Sequence, residues 1–150
     1  MTMFVRLVTV TSALCVAGCG DSGPRAVIEK VVPVSGTLTY QGKPLEQYRV
    51  TFMPTDGRRA AVGITDVAGK FVLGTNDVGD GAPAGKHKVA IVWAPPASAG
   101  TPGQEAIVDD TSKLPKPKVK IPEKYGNPDT SGLEQEVPAR GIKDVKIDLQ

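Results

Sequence analysis

Histidine occurs once in this chain of 150 residues and cysteine twice. That removes the usual zinc-site spacings and leaves His87 as the sole imidazole for acid–base chemistry. Aromatic residues are scarce, with one Trp, three Tyr and three Phe. Neither sign of charge dominates: 18 Lys+Arg face 16 Asp+Glu, for a net charge of +2. A nucleic-acid binder usually shows a stronger basic excess, so no nucleic-acid partner is expected. No stretch of ten or more residues beyond the N-terminus sustains a 3.6-residue apolar period, which excludes a helical architecture. Glycine (17) and proline (13), by contrast, are plentiful. Frequent turns and few long helices follow.

The N-terminus differs from the remainder. Arg6 is the single charge in the first eighteen residues, and Leu7 to Gly18 is mostly apolar. Such a run has the length of a secretory signal core and is too short to span a bilayer. Ala17, Gly18 and Cys19 follow, and then the polar stretch Gly20-Asp21-Ser22-Gly23-Pro24. A buried N-terminal strand or helix would not be expected to pass straight into such a stretch, which has the composition of a tether.

Val16-Ala17-Gly18-Cys19 resembles the lipobox of bacterial lipoproteins. The resemblance implies cleavage between Gly18 and Cys19 and a diacylglycerol on the Cys19 sulfur. Cys15 would leave with residues 1–18, so the mature chain would form no disulfide. The rival, a Cys15–Cys19 bridge, would have to sit in an unstructured leader. Two or more acyl chains anchor a protein stably, which makes the membrane the first expected partner. Asp21 does not directly follow Cys19, where an Asp would resemble an inner-membrane retention signal. The expected location is therefore the bacterial outer membrane. Residues 19–30 would form the lipidated tether.

From residue 31 onward, side chains alternate with period two between turn residues. Gly36, Leu38 and Tyr40 share one face of a strand; Tyr48, Val50 and Phe52 share a face of the next. Val62 and Ile64 carry a short strand ending at Thr65-Asp66, and Asp66 to Gly69 forms a tight turn. Phe71 and Leu73 face one way. His87, Val89, Ile91 and Trp93 lie together, as do Val145, Ile147 and Leu149. Strands at this spacing indicate a sandwich or barrel. Tyr48, Phe52, Phe71 and Trp93 fall on inward phases as core candidates. The proline-rich stretch 94–120 does not fit and is expected to be a long loop, made basic at its end by Lys113, Lys116, Lys118 and Lys120.

Three motifs carry a second resemblance. Val34-Ser35-Gly36-Thr37-Leu38 with Gly42-Lys43-Pro44-Leu45, then Thr65-Asp66-Val67-Ala68-Gly69-Lys70-Phe71, then Pro83-Ala84-Gly85-Lys86-His87-Lys88-Val89 resemble, in order, those of carboxypeptidase regulatory-like domains. His87 stands where that family usually has Tyr. The stretch Ile121 to Leu133 is similar to a recurring element of small bacterial lipoproteins. The resemblance implies an all-β fold: a single Greek-key β-sandwich of about seven strands, transthyretin/prealbumin-like, over residues 31–150.

No motif assembles a catalytic site. The C-terminus, Ile147-Asp148-Leu149-Gln150, lacks the Tyr-Arg-Gly-Ser ending of the hydroxyisourate-hydrolysing relatives of that fold. Asp77, Asp80, Asp109 and Asp110 do not have EF-hand spacing, so no metal and no cofactor are expected. A carboxylate pair formed across loops, such as Asp80 with Glu123, has no glycosidase motif around it. Neither Asn76 nor Asn127 is placed to form an isopeptide with Lys30, Lys43 or Lys70. The expected function is a lipid-anchored, non-enzymatic envelope protein whose sandwich is structural or binds a partner. The alternative is a ligand-binding lipoprotein, for example for a glycan, using Trp93, Tyr125 and the 94–120 loop.

Overall fold

A computed structural model describes residues 28–95 and 116–150. The leader, Gly18 and Cys19 lie outside the described residues, as do most of the 94–120 segment and Asp109 and Asp110. Among the described residues ten strands are present: β1 (Val31–Val32), β2 (Val34–Tyr40), β3 (Lys43–Pro44), β4 (Tyr48–Pro54), β5 (Ala61–Ile64), β6 (Lys70–Val72), β7 (Ala82–Pro83), β8 (Gly85–Trp93), β9 (Glu134–Val137) and β10 (Ile142–Leu149). A 3-10 turn, Glu123–Gly126, precedes β9. The all-β expectation holds. The strand count exceeds the expected seven because β1, β3 and β7 are two-residue pieces.

The strands form two four-stranded sheets and one small ribbon. In the first sheet β10 pairs β2 in parallel, while β3 and β6 pair β2 antiparallel. The second sheet is antiparallel throughout, in the order β5-β4-β8-β9. β1 and β7 make the ribbon. Period-two burial along each long strand gives each sheet one apolar face. Val34, Leu38, Phe71, Val145, Ile147 and Leu149 of the first sheet meet Tyr48, Val50, Phe52, Val89, Ile91 and Val137 of the second in one core. The rings of Phe52 and Phe71 approach to 6.4 Å between centroids. Each such side chain contributes about 1.5–3 kcal/mol when fully buried. The ion pairs Arg58–Asp56 and Lys88–Asp129 lie at the surface, where solvent screens them and they add little to stability.

The alternation of β5 runs opposite to what its apolar residues suggest. Ala61 and Gly63 face inward, whereas Val62 and Ile64 are 39% and 51% exposed. The β5–β6 hairpin bridges the two sheets at a corner, and the chains approach closely there. A Cβ on Gly63 would lie 2.5 Å from the Val72 carbonyl oxygen. Only the small residues of β5 fit on the inner side.

The register defines two poles. At the upper pole lie Tyr48 opposite Trp93, the Asp66–Gly69 turn, the β2–β3 turn and the C-terminus. At the lower pole lie Pro54 opposite His87, the 75–80 loop and the start of β2. The chain approaches β1 from the lower pole, where Glu29 exchanges two hydrogen bonds with the side chain of Asn76, each 2.9 Å long.

Candidate functional site

The upper pole brings together most of the residues that sequence reasoning singled out. Tyr48 opens β4 and Trp93 ends β8, and they are direct cross-strand partners. Neighbours of this kind share a face, so both rings turn inward. Tyr48 is buried, and burial pushes its phenol above the ordinary value of 10.0. Trp93, in the same row, is half-buried and packs against the core. The Thr65 hydroxyl oxygen accepts from the Tyr48 amide at 2.9 Å, and the Ala94 amide donates to the Gln47 carbonyl at 2.8 Å. These bonds fix the pole where the chain leaves β8.

Of the expected loop 94–120, residues 94–95 and 116–120 are described, and 116–120 run along the sandwich without regular secondary structure. Lys116, Lys118 and Lys120 are exposed, while Pro117 and Val119 between them and Ile121 after them are partly buried. Val119 and Ile121 pack on the core. The Tyr48 hydroxyl donates to the Val119 carbonyl, which ties this segment to β4. Pro117 and Pro122 fix φ on either side. The Lys118 ammonium lies 2.5 Å from a Glu46 carboxylate oxygen. The result is three exposed lysines on a segment that Tyr48 and Glu46 tie to the start of β4, the strand end paired with Trp93.

Tyr125 does not join Trp93 as a surface contact. It is 4% exposed, and its hydroxyl donates to the Gln150 carbonyl at 2.9 Å while accepting from the Gln150 amide at 3.3 Å. The ring therefore clamps the C-terminal end of the chain beside β8. The Lys124 ammonium lies 4.7 Å from its centroid.

The lower pole holds the other candidates. His87 is buried; its Nδ1 lies 3.0 Å from the Gly85 carbonyl, and its Nε2 has no partner. Burial holds the imidazole below its ordinary pKa of 6.5. Asp80 spends its carboxylate on the loop it closes, accepting from the amides of Thr75, Asn76 and Asp77. Desolvation alone would raise its pKa, but those donors outweigh it and hold the carboxyl below the usual range. Asp77 caps the neighbouring amide of Val78. Asp80 thus belongs to the lower pole and Glu123 to the upper, and the fold does not assemble them as a pair. Among the described residues no group of three His, Cys, Asp or Glu side chains converges as metal ligands would.

One feature had no signal in the sequence. An open groove of about 880 Å³ runs along the β5–β6 hairpin, lined by Val62, Ile64, Phe71, Val72 and Val78. It exists because the phase of β5 turns its valine and isoleucine outward. No family model, no curated protein and no solved structure matches this chain.

Proposed function

We propose that this chain is a lipid-anchored protein of the bacterial cell envelope whose β-sandwich is a non-catalytic structural or partner-binding module. The observation that carries this reading is the order of Arg6, the apolar run, Val16-Ala17-Gly18-Cys19 and the polar stretch after it. The described fold supports it. Among the described residues the buried core runs from Val34 to Leu149. The chain reaches β1 at one pole, where a tether would attach. Cleavage before Cys19 and acylation of its sulfur would place the sandwich at a membrane surface, the outer membrane by the residue that follows Cys19.

Within the all-β class, our reading is a transthyretin-like Greek-key sandwich of the carboxypeptidase regulatory-like kind. Its support is that the first two motifs form hairpin turns and the third opens the longest strand. The residues of those motifs act in turns and core. Asp66 accepts from the amides of Ala68 and Lys70, and His87 packs beneath Phe52. Such roles need no cofactor or metal. The glycan-binding alternative retains Trp93 at the rim and loses Tyr125, whose hydroxyl is occupied by Gln150.

The test is intact-mass measurement on protein extracted from membranes. The expected species lacks residues 1–18 and carries an acyl-glyceryl mass on Cys19. Cys19→Ala is expected to abolish that mass and leave the leader uncleaved. A soluble, unmodified wild-type chain would overturn the reading.

A further inference from the structure

We propose that the lysine row Lys116, Lys118 and Lys120, with Trp93 beside it, binds a linear acidic glycan. The three ammonium groups are exposed and lie on alternate residues, so successive Cα atoms are at most roughly 7 Å apart. The backbone beneath them is held in place, because Val119 and Ile121 pack on the core and Tyr48 donates to the Val119 carbonyl. Preorganisation of this kind lowers the entropy lost when a charged chain is bound. Only Lys118 has an anionic partner, Glu46, in the described structure, and that pair is largely solvent-exposed on the lysine side. A polyanion meeting the three lysines therefore finds two ammonium groups without carboxylate partners among the described residues and a third whose weak surface pairing is easily exchanged.

Trp93 supplies the second part of the chemistry. It is half-buried at the rim and is the cross-strand partner of Tyr48, the same residue that pins the lysine segment. A partly exposed indole offers an apolar ring face next to polar surroundings. A sugar ring presents the complementary combination, with an apolar C–H face and, in an acidic glycan, a carboxylate on its edge. The lysine row takes the carboxylates, and the indole takes a ring face.

The chain enters at the lower pole, while the lysine row and Trp93 are at the upper one. β4, which links the poles, has seven residues and spans about 20 Å. This part of the argument rests on the Cys19 anchor proposed above. That anchor would join the sandwich at the pole opposite the lysine row, about 20 Å away.

The test uses the full chain and polygalacturonate as the probe, with neutral dextran and anionic phosphatidylglycerol vesicles as separate arms. Trp93 is the sole tryptophan, so its fluorescence reports directly on the proposed contact. Polygalacturonate is expected to shift that fluorescence at low salt, and dextran is not. The effect should fade at about 0.5 M salt, where the screening length falls to a few ångströms. A triple variant, Lys116→Gln, Lys118→Gln and Lys120→Gln, should weaken the apparent affinity about tenfold. Lys86→Gln with Lys143→Gln, at the opposite pole, should leave it unchanged. No response to polygalacturonate, equal weakening by the two sets of variants, or tighter binding to the vesicles would overturn the proposal. A chain found to be unlipidated would refute the anchor and leave this binding result to stand or fall by itself.

Discussion

The His87 ring lies 5.8 Å from that of Phe52, tilted by 46°, inside the seam between the two sheets. It fills an aromatic position in the core with a group that can take up a proton. Nδ1 is matched by the Gly85 carbonyl, and Nε2 faces no partner. The other two buried polar side chains are matched: Thr65 accepts from Tyr48, and the Ser131 hydroxyl donates to the Val89 carbonyl at 2.7 Å.

This arrangement predicts acid sensitivity. Burial first, with the Arg58 charge adding to it, lowers the folded pKa of His87, against the hydrogen bond to Gly85 and the charge of Asp56. The unfolded chain therefore binds the proton more readily than the folded one. His87 places no penalty on stability above its ordinary value of 6.5; stability falls as pH drops below 6.5 towards the lowered folded value. Thermal unfolding between pH 7.5 and 5, both within about two units of the ordinary histidine pKa, should show a falling Tm in the wild type. His87→Phe should flatten that dependence. An equal slope in both proteins would refute the assignment.

Phe71 reports on the core. It is 3% exposed and meets Phe52 across the two sheets. Phe71→Ala should cost about 3–5 kcal/mol in denaturant unfolding. Val67→Ala, at a site 75% exposed, should change stability by no more than about 0.5 kcal/mol.

Gly69 and Gly42 separate two effects of glycine. Both have positive φ, 72° and 74°. A Cβ on Gly69 would lie 2.5 Å from the Leu38 carbonyl oxygen, whereas one on Gly42 meets nothing within 4 Å. Gly42→Ala should cost about 1–2 kcal/mol, the penalty of a left-handed backbone. Gly69→Ala should cost more than that, because the Leu38–Gly69 ladder bond must also shift. Equal losses by chemical denaturation would show that the close approach carries no cost.

Tyr48→Phe tests the pin under the lysine row. It removes the hydroxyl that donates to the Val119 carbonyl and leaves the buried ring. The expected loss is about 0.5–1.5 kcal/mol. Trypsin should then cut faster after Lys118 and Lys120, since the segment is held less firmly. Unchanged cleavage would mean that the packing of Val119 and Ile121 suffices.

Much of the fold is readable from residue order. Alternation in β2, β4, β8 and β10 correctly identifies Leu38, Val50, Phe52, Val89, Ile91, Val145, Ile147 and Leu149 as one set of inward side chains. Asp66 and Gly69 announce their turn because the carboxylate must accept backbone amides and the glycine must take positive φ. Both signals are local, and local chemistry suffices to read them.

Other features depend on contacts between distant parts of the chain. Period two says that Val62 and Ile64 share a face but not which face lies inside; the approach of Val72 to Gly63 decides that. Tyr125 has the composition of a surface aromatic in a polar stretch, yet the end of β10 brings Gln150 to its hydroxyl and the ring is buried. The parallel pairing of β2 with β10 joins residues more than a hundred positions apart. The lysines at 116, 118 and 120 are visible as charges in the sequence. Their segment is brought to the Trp93 end of the sandwich because Tyr48, a residue of β4, bonds the Val119 carbonyl and pairs with Trp93. Sequence determined the periodicity, the turns and the signal-like N-terminus; tertiary packing decided which faces are buried and which side chains meet, because those depend on the space left between two sheets.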